Sequence, residues 1–78
     1  GANPVYLKRG MTDSAVQVFQ KLVRDNPRHP SYQHHLGAAL AAANQAESAK
    51  KALEAALGNS PSPREAAEIR RLMQELGG

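Results

Sequence analysis

The chain has no cysteine and no tryptophan, and apart from histidine its aromatic residues are two tyrosines and one phenylalanine. The lack of cysteine excludes a disulfide-stabilised scaffold and a thiolate metal site. No apolar run approaches the roughly 20 residues that cross a bilayer, so direct membrane insertion is not expected. A chain of 78 residues buries only a modest part of its surface, which argues against an enzyme with its own enclosed cleft.

The charge is moderately basic, with ten Lys and Arg residues against seven Asp and Glu residues and a formal net charge of +3. The basic residues are spread along the chain and mixed with acidic ones. Aromatic residues that could stack on bases are scarce, and no nucleic-acid-binding motif is present. We therefore interpret the charge as a solvated helix surface and expect no nucleic-acid partner.

Three histidines are the only candidates for metal or catalytic chemistry: His29, His34 and His35. Their spacings place them on different faces of a helix, unlike the i, i+4 pair of a helical zinc site. No thiol or acidic residue is close to them in sequence, and no Ser-His-acid grouping can be assembled. We expect no metal, no cofactor and no catalytic residue.

Apolar residues recur at spacings of three and four, which is typical of amphipathic helices, and no stretch alternates as a strand would. A short helical segment over residues 5–9 is predicted to stop at Gly10, and Thr12 is predicted to cap a second helix that ends before Pro27. Pro30 is predicted to begin the next helix, which ends at Asn44 and Gln45. A further helix follows these two residues and is predicted to end at Gly58.

The last helix has the clearest start signal. Ser62 is predicted to be its N-cap, Pro63 its first residue and Glu65 the partner of Ser62 in a capping box. The sequence therefore predicts an all-α protein.

A repeat becomes visible when the sequence is shifted by 34 positions. The shift pairs residues of similar character: Gly10 with Asn44, Ala15 with Ala49, Phe19 with Leu53, Leu22 with Ala56, Val23 with Leu57 and Pro27 with Pro61. A 34-residue period built from two antiparallel helices resembles the tetratricopeptide repeat. The motif residues of the complete copy are Leu36, Gly37, Leu40, Asn44, Ala49, Leu53, Ala56 and Pro61. The pattern departs from the family at Gln33, where a tryptophan is usual.

The resemblance implies antiparallel helix-turn-helix repeats that form part of a right-handed α-solenoid in a single domain. It divides the chain into a partial repeat over 1–29, a complete repeat over 30–63 and a capping helix over 64–78. The expected core consists of Tyr6, Ala15, Phe19, Leu36, Gly37, Leu40, Ala49, Leu53, Ala56, Leu57 and Ile69. Leu53 is expected to be fully buried.

The resemblance also implies a function, which is to bind a peptide or partner protein in the concave groove lined by the first helices of successive repeats. The corresponding residues are Ser31, His34, Ala38, Ala41, Ala42, Glu65, Glu68, Leu72 and Glu75. His34 is expected to be exposed there, while Leu36 and Leu40 point inward. Family members that clamp a C-terminal carboxylate use Lys and Asn at the positions of His34 and Ala38, so that specificity is not expected.

An alternative function is structural, with the segment serving as a spacer or cap in a longer solenoid. The stretch Tyr-Gln-His-His-Leu-Gly and the alanine content are similar to bacterial repeat proteins of envelope and exopolysaccharide systems. The sequence does not decide between the bacterial cytoplasm and the cell envelope or periplasm as the location of the protein. We read the chain as a fragment whose first helix lacks a full partner. Residues 1–9 are expected to fray, and weak self-association is expected through Val16, Phe19 and Val23.

Overall fold

The computed structural model describes the backbone of residues 4–77 and the side chains of residues 10–77. Four α-helices follow one another along the chain: α1 (Pro4–Asp25), α2 (Pro30–Ala42), α3 (Ala46–Gly58) and α4 (Pro63–Glu75). Each helix packs against the next, and α2 also touches α4. The described part of the chain contains no strand, so the predicted all-α class is correct. The division into repeat units stays a prediction.

The first helix differs from the prediction. It runs without a break through Gly10 and Thr12, so the predicted stop at Gly10 and the predicted N-cap at Thr12 are both wrong. An exposed helical glycine costs only about 1 kcal/mol relative to alanine, which is too little to end a helix whose flanking residues favour it. Residues 4–9 belong to α1, whereas residues 1–3 and the side chain of Tyr6 lie outside the described part, and the fraying expected of residues 1–9 stays a prediction.

The other helix ends follow the sequence signals. Pro30 and Pro63 begin α2 and α4, where a missing backbone N–H costs nothing. The Ser62 hydroxyl accepts a hydrogen bond of 3.2 Å from the backbone N–H of Glu65, as expected of an N-cap. The connections contain two residues with positive φ, Asn44 at 63° and Ser60 at 60°. Asparagine adopts this left-handed conformation more readily than most residues, which suits it to the α2–α3 turn.

The buried core forms two clusters that run along the stack. The first contains Val16, Leu40 and Ala49 from three successive helices. The second contains Leu53, Ala56 and Ile69 and joins α3 to α4. Leu53 and Ile69 are the largest fully buried side chains. The half-buried members of the expected core are Ala15, Phe19, Leu36 and Leu57.

A close helix crossing lies between α2 and α3 at Gly37. A Cβ atom at this position would lie 2.6 Å from both Cγ and Cδ2 of Leu53, and 3.3 Å from the backbone oxygen of Ala49. Since Leu53 is itself fully buried, it has little room to move away. The absence of a side chain at Gly37 is therefore what allows α2 to approach α3 this closely.

Candidate functional site

The carboxylate of Glu65 connects α4 to α2. Ser31 Oγ donates a hydrogen bond to Oε1 of Glu65 over 3.0 Å, and His34 Nδ1 lies 2.9 Å from Oε2. An ionised carboxylate can only accept hydrogen bonds, so the Nδ1–H of His34 is the donor. Three residues predicted to line the concave groove, from two helices that are separate in sequence, thus meet at one point.

The position of Glu65 within α4 explains why its side chain is available. In a capping box, this glutamate would accept a hydrogen bond from the backbone N–H of Ser62. Here only the other half of the box forms, in which Ser62 accepts from Glu65, and the Glu65 carboxylate instead bonds to α2. The capping-box signal therefore predicted the start of α4 correctly but not the role of this side chain.

The hydrogen bonds at Glu65 favour its ionised form. The bond from His34 is the largest cause and lowers the pKa of Glu65 below its ordinary value of 4.5. Partial burial acts in the opposite direction, and the hydrogen bond from Ser31 adds to the lowering. Glu65 is consequently a carboxylate at neutral pH, and it accepts hydrogen bonds from both α2 residues.

The predicted exposure of His34 is wrong. Its side chain is only 12% exposed, and Glu65 of α4 contacts the Nδ1 atom of its imidazole ring. The ring of His35 also lies beside it, with centroids 5.4 Å apart. His34 belongs to the contact between the two helices more than to a free binding surface.

The remaining groove residues lie further along the same two helices. The exposed ones are Ala38, Ala42, Glu68 and Glu75, and the half-buried ones are Ala41 and Leu72. Glu68 lies 3.9 Å from Arg64 in a solvent-exposed pair, while Glu75 has no ion pair within residues 10–77. The exposed members of the predicted groove are therefore alanines on α2 and glutamates on α4.

A buried glutamine stands at the position where the repeat pattern has tryptophan. Gln33 is only 5% exposed, and its Nε2 donates to the backbone oxygen of Pro27 over 2.8 Å. Its Oε1 accepts a bond of 2.7 Å from Nδ2 of Asn59, which also donates to the backbone oxygen of Ala55. Sequence reasoning missed this network, although a polar residue at an inward-facing position of the repeat is the signal that could have found it.

The other histidines have aromatic neighbours. His29 stacks on Tyr32 with ring centroids 3.8 Å apart, and His35 lies 5.4 Å from Phe19. Within the described side chains, no three His, Cys, Asp or Glu residues are grouped so as to hold a metal ion. The described helices include none that is both long and apolar enough to cross a membrane.

A second surface depression lies between α1 and α2, with a volume of about 430 Å³. We call it the α1–α2 groove, and its main lining residues are Met11, Ala15, Phe19, His35, Ala38 and Ala42. Val16 was expected on this open side but is buried beneath α2 and α3, which corrects that assignment. Phe19 is half-buried and Met11 is 73% exposed, so apolar surface is present. Self-association through it stays a prediction.

Comparison with known proteins gives a single finding. A family model described as tetratricopeptide repeat matches residues 6–76. No curated protein and no solved structure matches the chain. The matched region includes all the concave-groove residues and all of the α1–α2 groove.

Proposed function

Because the chain belongs to the tetratricopeptide repeat family, a non-catalytic family whose repeats mediate protein–protein interaction, we propose that it binds a peptide or a partner segment in the concave groove. The observation that carries this proposal is the meeting of Ser31, His34 and Glu65. Their hydrogen bonds join α2 to α4, the two helices that carry the remaining residues of the proposed groove.

The chemistry of the groove favours a basic partner. Glu65, Glu68, Leu72 and Glu75 follow the i, i+3, i+7, i+10 spacing of a single helix face. Glu65 is already engaged by α2, which leaves Glu68 and Glu75 for a ligand. Opposite charges across an interface provide specificity and faster association, so Lys or Arg side chains fit this edge. The exposed methyl groups of Ala38 and Ala42 let the backbone of the partner approach closely.

A ligand that is recognised by its C-terminal carboxylate does not fit this groove. Lys and Asn are absent from the positions of His34 and Ala38, and His34 is occupied by Glu65. The carboxylates of Glu68 and Glu75 would also repel such a group. The proposed partner is therefore bound through internal residues of its sequence.

The proposal can be tested with a fluorescein-labelled peptide of the repeating sequence Lys-Ala-Ala, by fluorescence anisotropy at low salt. We expect the double variant Glu68→Gln, Glu75→Gln to weaken binding about tenfold, since each contact between charges contributes of the order of 1 kcal/mol or less. The matched control is Glu47→Gln, Glu54→Gln on α3, which removes the same charge outside the groove. Equal losses in both double variants would show that net charge alone attracts the peptide.

A structural role as a cap is the second candidate, because the outer face of α4 is polar. Ala67, Arg70, Arg71 and Gln74 are exposed there. The 34-residue shift pairs them with residues of α2 that face α3, which are Gln33, Leu36, Gly37 and Leu40. Arg71 is the equivalent of Gly37, and its long side chain prevents a close helix crossing on this face of α4. Such a face suits a terminal helix of the stack. A folded chain that binds neither the Lys-Ala-Ala peptide nor an otherwise identical Glu-Ala-Ala peptide would favour this role.

A further inference from the structure

We propose that acidification below neutral pH makes the concave groove release a basic partner, because His34 and His35 gain positive charge beside the acidic residues of α4. This inference rests on the proposed function and concerns the regulation of the same site. Two imidazole rings and one carboxylate supply the mechanism, and the partner segment carries lysine or arginine side chains.

The titratable groups form one row that crosses from α2 to α4. The rings of His35 and His34 stack with centroids 5.4 Å apart and an interplanar angle of 11°. Nδ1 of His34 then lies 2.9 Å from Oε2 of Glu65. The neighbouring helices contribute uncharged groups, since Phe19 of α1 lies 5.4 Å from His35 and α3 packs on α2 through Leu53. Glu65 is thus the charged residue in direct contact with the histidine pair.

The contact between His34 and Glu65 is compatible with both charge states of the imidazole ring. In the neutral ring, Nδ1–H already donates to the carboxylate, so Nε2 is the atom that takes up a proton. Nδ1 remains the donor afterwards, and the hydrogen bond between α2 and α4 is kept. Histidine is the side chain whose charge ordinarily changes between about pH 5 and pH 8. Acidification in this interval therefore changes the charge of the groove and leaves its two helices in place.

A charge on His34 changes the electrostatic field of α4 most strongly at Glu68. Glu65 and Glu68 are three residues apart on one helix face, so at neutral pH their carboxylates attract the same cation. When His34 is positive, Glu65 becomes one half of an ion pair, whose field falls off more steeply than that of a single charge. Glu75 lies about 15 Å from Glu65 along the helix axis, beyond the screening length of about 10 Å in 0.1 M salt. A lysine bound at Glu68 should therefore be affected more than one bound at Glu75.

His35 extends the effect along α2. Its side chain is exposed, and it precedes Ala38 by three residues, so the two lie on one face of the helix. A partner that approaches the exposed methyl group of Ala38 brings its own cations close to this ring. Like charges repel, so protonation of His35 opposes the approach. Attraction at Glu68 and tolerance of the partner on α2 thus decrease together as the pH falls.

The test uses the full chain with fluorescein-labelled Lys-Ala-Ala and Glu-Ala-Ala repeat peptides, by fluorescence anisotropy at pH 7.5 and pH 5.5 in 0.1 M salt. Lysine and glutamate ordinarily titrate outside this interval, so both peptides keep their charge. We expect the Lys-Ala-Ala peptide to bind about threefold to tenfold more weakly at pH 5.5, and the Glu-Ala-Ala peptide to bind more tightly. The double variant His34→Gln, His35→Gln should lose both changes. The control His29→Gln removes a histidine outside the groove and should keep them.

Single substitutions on α4 locate the effect. Glu68→Gln should reduce the pH dependence of Lys-Ala-Ala binding, because the cation most sensitive to His34 is no longer bound there. Glu75→Gln should weaken binding and retain the pH dependence. Circular dichroism at both pH values establishes that each variant is folded, and His35→Gln alone, at an exposed side chain, should lose part of the pH dependence without disturbing Glu65.

The outcomes separate this inference from the proposed function. Equal affinity for the Lys-Ala-Ala peptide at both pH values, or a pH dependence that the double histidine variant leaves intact, would overturn the inference and leave the proposed function standing. Failure of this peptide to bind at pH 7.5 would overturn the proposed function. The Glu-Ala-Ala peptide then decides, since its binding at pH 5.5 should still require His34 and His35. Binding of neither peptide at either pH would overturn both.

Discussion

The Oε2 atom of Glu65 lies 2.9 Å from Nδ1 of His34, and this contact joins two helices that the chain separates by α3. Both side chains are largely shielded, with 12% of His34 and 19% of Glu65 exposed. A hydrogen bond to an ionised group is stronger than one between neutral groups, particularly away from bulk water. The contact therefore holds α4 in register on α2 at the start of the concave groove.

The stability contributed by Glu65 should depend on pH in a defined direction. Its pKa is lower in the folded chain than its ordinary value of 4.5, mainly because of His34. The contribution is therefore complete above pH 4.5 and is lost as the pH falls through the lower, folded-state value. Thermal melts from pH 3 to pH 6 should show the wild type more stable than Glu65→Gln at the upper end, with the difference shrinking towards pH 3. Glu54→Gln on the exposed face of α3 is the control. A difference that does not change with pH would contradict this assignment.

Two of the helical glycines, Gly10 and Gly37, should respond in opposite directions to the same substitution. Gly37→Ala places a Cβ atom 2.6 Å from Leu53 and should destabilise the fold by about 1–3 kcal/mol despite the better helix propensity of alanine. Gly10→Ala meets no atom within 4 Å and should stabilise α1 by about 0.5–1 kcal/mol. Urea denaturation followed by circular dichroism measures both. Equal effects would mean that the close crossing is absent in solution.

Removal of the largest buried side chain on α3 should be severe. Leu53→Ala leaves a cavity between α2 and α4 and should cost about 2–5 kcal/mol. Natural domains have a total stability of only about 5–15 kcal/mol, so this loss is a large fraction of the total and should lower the melting temperature clearly. The control is Val18→Ala, at a side chain that is 57% exposed and should change stability by less than about 0.5 kcal/mol. A thermal melt unchanged by Leu53→Ala would refute the helix register.

The buried glutamine should be energetically coupled to Asn59. Gln33→Ala leaves the Asn59 amide without its bond of 2.7 Å and should cost about 1–3 kcal/mol. In a double-mutant cycle with Asn59→Ala, the coupling energy should be about 0.5–3 kcal/mol, because the two residues share one hydrogen-bond network. Additive losses would indicate that the two side chains act independently.

The helices from Pro30 onward could be predicted because their end signals are local. The prolines and the Ser62 cap act within one turn, and the 34-residue spacing located Leu53 and Gly37. Gly10 misled the prediction, since an isolated glycine resembles a helix stop although its cost is small where the surrounding turns are stable. His34 and Gln33 could not be placed from sequence alone. Their environments depend on Glu65 and Asn59, and both of these have local hydrogen-bond options that a sequence cannot rank.

The crossing at Gly37 has a consequence for the order in which the chain folds. Since α2 and α3 are joined by a short turn and pack tightly at Gly37, the contact costs little loop entropy to form. We therefore expect this hairpin to be the folding nucleus, onto which α1 and α4 add as neighbours in a one-dimensional array. Changes at the crossing should therefore act mainly on the rate of folding, and changes in α4 mainly on the rate of unfolding.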